Sequence, residues 1–190
     1  MKNKIALIAL LSAIIISNAF ALEYQVEASK KNLVKFISNA PVEDFEGTTN
    51  KSDGYIALPD ASNLYNAEVY FEVDLNSVDT GIGLRNRHMR ENYLHTDKYP
   101  FTSFKGKISE VKKVSDSEYD VKVNGDMSIH GVTKNKLISG KINFKSAGMS
   151  VNSKFTVKLT DYKIEVPQLM FVKISEEIKL ELYFNLKKSE

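Results

Sequence analysis

Residues 67–75 alternate without a break: Ala67, Val69, Phe71, Val73 and Leu75 fall on one side, and Glu68, Tyr70, Glu72 and Asp74 on the other. A side-chain period of two belongs to an extended strand, and a strand with one apolar face has to cover that face. The alternation returns along the chain. Val34 and Phe36 share a side within 22–36, and Phe104 and Ile108 do so within 101–111; Tyr119, Val121 and Val123 alternate with Asp120 and Lys122. Ile138, Ile142 and Phe144 share a side, as do Phe155, Val157 and Leu159. The last segment sets Ile178, Leu180, Leu182, Phe184 and Leu186 against Glu177, Lys179, Glu181 and Asn185. Residues 42–56 read as two strand ends around an Asp53-Gly54 turn, and Asn124-Gly125 reads as a bend. The total is about eight strands. As an open sheet they would leave a broad apolar face and two unpaired edges in water; antiparallel closure into a barrel removes both. The expected class is all-β, antiparallel and barrel-shaped.

One stretch departs from that pattern. Residues 77–100 read S-V-D-T-G-I-G-L-R-N-R-H-M-R-E-N-Y-L-H-T-D-K-Y-P. No proline or glycine interrupts 84–99, so a short helix is expected there after the 67–75 strand. Asp79 or Thr80 is placed to cap its free N–H groups, and Pro100 to stop it. At about 100° per residue, Ile82, Met89 and Tyr93 share a face, while Arg87, Arg90 and Glu91 point elsewhere. Such a helix would lie across a sheet or plug one end of a barrel.

The chain opens Met-Lys-Asn-Lys, follows with an apolar run over 5–16, and offers an Ala19-Phe20-Ala21 cleavage site. A charged start, a short apolar core and small residues at the cut describe an export signal, here 1–21, with a single domain over 22–190. The run is shorter than the roughly 20 residues a spanning helix needs. With 1–21 go Lys2 and Lys4, and the rest carries as many acids as bases. That balance argues against a nucleic-acid binder, which needs a net basic field and clustered Lys and Arg. The chain has no cysteine, so disulfides, thiol catalysis and a lipid-modified N-terminal cysteine are all excluded.

The segments S-V-D-T-G, R-N-R-H-M-R and Y-P-F-T-S-F-K-G-K-I, with M-S-I-H-G-V-T at 127–133, resemble the signature of the YceI-like family. Ser77, Asp79, Thr80, Gly81, Arg85, Asn86, His88, Tyr99, Pro100 and Phe104 match it; Met89 stands where the family usually has Leu. Over 155–171 the likeness weakens: many members carry an R-x-D-F-G-like element where this chain has K-L-T-D-Y-K-I-E-V-P. The resemblance implies a periplasmic protein with a lipocalin-like barrel that holds a polyisoprenoid or other long-chain lipid.

The residues offer little catalytic chemistry. His88 and His95, seven apart on one expected helical face, have only Glu91 between them, short of a metal ligand set, so no metal is expected. His130, before Gly131, reads as a structural hydrogen-bonder. No G-x-S-x-G elbow occurs, and Gly81-x-Gly83 lacks the third glycine of a dinucleotide fingerprint. The apolar face is the functional candidate. The strand pattern leaves open whether the barrel is filled by its own side chains or hollow enough for a ligand. Ten Phe and nine Tyr with no Trp offer slot-like walls, and the resemblance implies the same. The expectation is a non-enzymatic, cofactor-free periplasmic carrier of a long isoprenoid or acyl lipid, such as an isoprenoid quinone. Phe36, Val69, Phe71, Val73, Met89, Phe104, Ile142, Phe155, Val157 and Leu180 would line the slot, with Arg85 and His88 at its mouth. Alternatives are a lipid-processing hydrolase and a binder of fatty-acid derivatives. Passing membrane contact fits this expectation, and oligomeric state, a dimer included, is left open.

Overall fold

The computed structural model describes residues 22–189 apart from 30, 40–43, 61–62 and 170–171. The expected signal, 1–21, lies outside the described residues. The strands are β1 (Leu22–Val26), β2 (Leu33–Ser38), β3 (Phe45–Thr49), β4 (Ser52–Leu58), β5 (Glu68–Asp74), β6 (Phe101–Lys113), β7 (Glu118–Ile129), β8 (Val132–Lys145), β9 (Gly148–Lys158), β10 (Gln168–Leu169), β11 (Val172–Lys173) and β12 (Glu177–Lys188). Eight of them, in the order β1-β4-β5-β6-β7-β8-β9-β12, close into an antiparallel barrel when β12 returns to pair with β1. One short helical segment lies between β5 and β6.

The seam is shared. β1 pairs with the end of β12 through Tyr24–Lys188 and Val26–Leu186, and β2 pairs with its start from Ile178–Ser38 to Tyr183–Leu33. Residues 22–36 are therefore two strands rather than the expected single element. The break falls at Asn32, which is buried and tied through its side chain to the Glu27 carbonyl and the Asn185 N–H. β3 extends the seam beyond β2, and a bridge from Thr48 to Asp79 carries it on towards the chain leaving β5.

Two expected turns are not turns. The chain bends at Asn50 and Lys51, and Asp53-Gly54 lies inside β4 opposite Glu72 and Phe71. Gly54 has φ +147°, and a Cβ there would collide with the Tyr70 carbonyl and the Phe71 ring; glycine is required by close strand approach. Asn124-Gly125 likewise runs straight through β7, with Gly125 facing Gly106 of β6.

The barrel is packed at one end and hollow at the other. Ile56, Leu58, Val69, Ile108, Ile142, Met149 and Leu186 fill the packed end. Phe71 of β5 and Phe184 of β12 stack with centroids 4.6 Å apart and planes within 15°. Both rings face the hollow, so this stack is its floor.

Candidate ligand-binding site

The helical segment closing over the hollow end begins with an entry held by a hydrogen-bonded knot. Asp79 exchanges backbone hydrogen bonds with Thr48 at 2.8 and 2.9 Å. The Thr80 N–H and hydroxyl both donate to Asn86 Oδ1, at 2.8 and 2.6 Å, and Asn86 Nδ2 donates to Asp79 Oδ1 at 2.7 Å. Arg85 donates to the Thr80 hydroxyl and carbonyl, and its guanidinium lies 4.8 Å from the Phe45 ring centroid. Thr49 and Ser77 share a hydroxyl hydrogen bond of 2.6 Å. Neither Asp79 nor Thr80 caps the helix: Ile82 occupies the cap position and makes no side-chain capping bond. Their polar atoms are spent on Asn86 and Gly81 instead. The bond from Asn86, and next the Gly81 N–H, hold the Asp79 carboxyl below the ordinary carboxylate range.

The helix is shorter than expected. α1 (Gly83–His88) passes into a wider π-turn over Met89–Leu94, and His95 at φ 46° ends it, five residues before Pro100. The Arg90 carbonyl accepts from the N–H groups of both His95 and Thr96. The π-turn shifts the angular phase, so His88 and His95 do not share a face as expected. His88 stands at the cavity mouth, whereas His95 Nδ1 meets His130 Nε2 at 2.9 Å. His130 Nδ1 lies 3.1 Å from the Tyr162 carbonyl, and Tyr99 sets its ring edgewise on His130. The structural reading of His130 fits this geometry: at φ 50°, with Gly131 at 71°, it turns β7 into β8 and ties helix end, turn and the Thr160–Tyr162 3₁₀ turn together.

Beneath the helix lies a cavity of about 610 Å³, within the usual range for small-molecule sites. Phe36, Phe71, Val73, Arg85, His88, Met89, Phe104, Phe155, Val157 and Leu180 all line it. Val69 and Ile142 do not. Val69 is two residues below Phe71 on the packed side of the floor, and Ile142 is 1% exposed, facing Tyr119 and Val151 across neighbouring strands. Inward direction was right for both; depth along the barrel was not available from a period of two. Sequence reasoning missed Phe45, Tyr162, Ile164, Leu182 and Phe184 as lining residues. Leu182 and Phe184 already carried the right alternation. Tyr162 and Ile164 come from a non-strand turn with no periodic signal.

Polar groups are few on this wall. Arg85 is engaged with Thr80 and Phe45, while His88 is exposed at the rim. Lys158 lies 3.9 Å from Glu176. Ser38 Oγ and Tyr162 Oη are buried with no hydrogen-bond partner among the described residues. Burial, and secondarily the Asp161 charge, pushes the Tyr162 hydroxyl pKa up. No group of three or more His, Asp or Glu able to hold a metal occurs among the described residues.

Comparison with known proteins matches this arrangement to a family. A UPF0312 protein of Ectopseudomonas mendocina is 30% identical over 74% of this chain and 73% of its own length. Protein YceI of Escherichia coli is 31% identical over 63% of each, so this chain spans less than two thirds of that relative. Among solved structures, BcnA of Burkholderia cenocepacia superposes with a TM-score of 0.70 at 15% identity, covering 84% of this chain and 98% of that one. A polyisoprenoid binding domain from Saccharophagus degradans gives 0.68 at 18% identity, covering 88% and 99%. At such identities the superpositions establish the fold. The family model for the YceI-like domain matches residues 24–186, from the first barrel strand to the last, and the chain belongs to that family.

Proposed function

We propose that this protein binds one long-chain apolar lipid, an isoprenoid or isoprenoid quinone, and carries it through the periplasm after export. The observation that carries this reading is the apolar cavity of about 610 Å³, open at its mouth, walled by aromatic rings and floored by the Phe71–Phe184 stack. An apolar chain entering it leaves water along its whole buried length, worth roughly 25 cal/mol per Å². The scarcity of free polar groups on the wall favours a ligand that is mostly hydrocarbon. The resemblance in fold to a polyisoprenoid binding domain supports the isoprenoid class. The Ala19-Phe20-Ala21 site supports export.

The test is solvent extraction of protein purified under native conditions, followed by mass spectrometry. A stoichiometric isoprenoid, unaltered after incubation with the protein, is the expected result. A fatty-acid derivative would change the ligand class, turnover of the lipid would reassign the protein to hydrolysis, and an empty extract combined with no uptake of added isoprenoid would overturn binding.

A further inference from the structure

We propose that the rim carrying Ile82, Leu84 and Arg87 is a docking surface for an anionic phospholipid bilayer, through which the cavity loads and unloads; this rests on the lipid-binding reading and names its membrane partner. Ile82 and Leu84 are 52% and 56% exposed, although both also border the cavity mouth. The backbone around them projects into open space: a Cβ built on Gly81 or Gly83 would meet nothing within 4 Å. The protein thus presents two large apolar side chains on a protruding turn, at the point where its apolar interior opens.

The charges beside them select the partner. Residues 79–95 hold Arg85, Arg87 and Arg90 against Asp79 and Glu91, a local excess of one positive charge, whereas residues 22–190 carry as many acids as bases. Arg85 is held by Thr80, and Arg90 by the Asn76 carbonyl, while Arg87 is exposed. Leu84, Arg87, His88 and Glu91 are each exposed. Short apolar anchors flanked by arginine are the chemistry that settles into an anionic interface, with apolar tips below the headgroups and guanidinium among the phosphates. A stable protein partner would need roughly 800 Å² on each side, far more than two side chains offer. A lipid leaving the bilayer at this rim would pass from acyl chains to cavity wall with little exposure to water.

Delipidated full-length mature protein is floated with vesicles of phosphatidylcholine, with and without phosphatidylglycerol. Wild type should bind the phosphatidylglycerol vesicles and lose much of that binding at high salt. The double substitution Ile82→Ser, Leu84→Ser should lower the bound fraction on the order of fivefold. Arg87→Glu should slow uptake of geranylgeraniol from phosphatidylglycerol vesicles by a similar factor, on the order of fivefold. Its affinity for geranylgeraniol delivered from cyclodextrin should be unchanged, since Arg87 does not line the cavity. Equal flotation of wild type and the double variant would overturn the proposal, as would a wild-type dimer that the double substitution dissolves. If wild type takes up no geranylgeraniol from cyclodextrin, the lipid-binding reading itself fails, whatever the vesicles show.

Discussion

Phe71 and Ile142 both point into the barrel, but at different depths, and that difference is measurable. Ile142 is enclosed on all sides, so Ile142→Ala should cost about 2–5 kcal/mol from lost burial and the cavity left behind. Phe71 has Phe184 on one face and the hollow above, so in delipidated protein Phe71→Ala should cost less than the 3–5 kcal/mol typical of a packed core. Lipid affinity should fall instead, by about 1–2 kcal/mol. Denaturant melting beside lipid titration of both variants checks this; a full core-sized loss at Phe71 with unchanged affinity would mean a packed floor that the ligand never touches. Tyr162 tests the opposite sign. Its hydroxyl is buried without a partner among the described residues, which is a cost to the folded state. Tyr162→Phe removes only that oxygen and is expected to leave stability unchanged or raise it by up to about 1 kcal/mol. A clear loss in denaturant melting would show that the hydroxyl is bonded in solution.

At the scale of elements, the helical segment is held at both ends by tertiary contacts rather than by its own propensity. The His95–His130 contact fastens its end to the β7–β8 turn. His130→Asn removes the ring while keeping a residue that tolerates positive φ. Amide exchange over 89–94 is expected to accelerate about tenfold, as loss of about one net hydrogen bond predicts, with the packed-end strands unchanged. Uniform change across the barrel would contradict this local role. The entry end depends on Asp79, whose pKa is depressed by Asn86 and the Gly81 N–H. A depressed carboxylate contributes stability that is present above its unfolded value, near 3.8, and is lost as pH falls through its lower folded value. Acid melting of wild type should therefore contain a component below about pH 4 that Asp79→Asn lacks. Identical acid profiles for the two proteins would remove Asp79 from the account.

For the whole molecule, a half-hollow barrel without a disulfide leaves part of its apolar lining without protein contacts, so ligand occupancy should be a large part of its stability. Removing the lipid is expected to lower stability by about 2.7 kcal/mol relative to protein held at one hundred times the dissociation constant. Thermal melting before and after extraction, with the lipid added back, checks this; an unchanged melting temperature would mean that nothing binds the folded state preferentially. The architecture itself was legible in the sequence. Strict alternation in segment after segment gave each strand one face to hide, and closure is how so many such strands hide it together. The position of the helix between β5 and β6 was legible too, because 84–99 lacks both the alternation and any breaker. Its end was not: the left-handed turn at His95 follows from contacts with a hairpin 35 residues away. Nor could the sequence divide the barrel into packed and hollow halves. A period of two states which face a side chain takes, not its depth along the barrel axis, and whether space is filled depends on which rings reach across from distant strands. Phe71 closes the floor only because the fold brings Phe184, 113 residues later, against it. Tyr162 reaches the wall from a turn that carries no pattern at all.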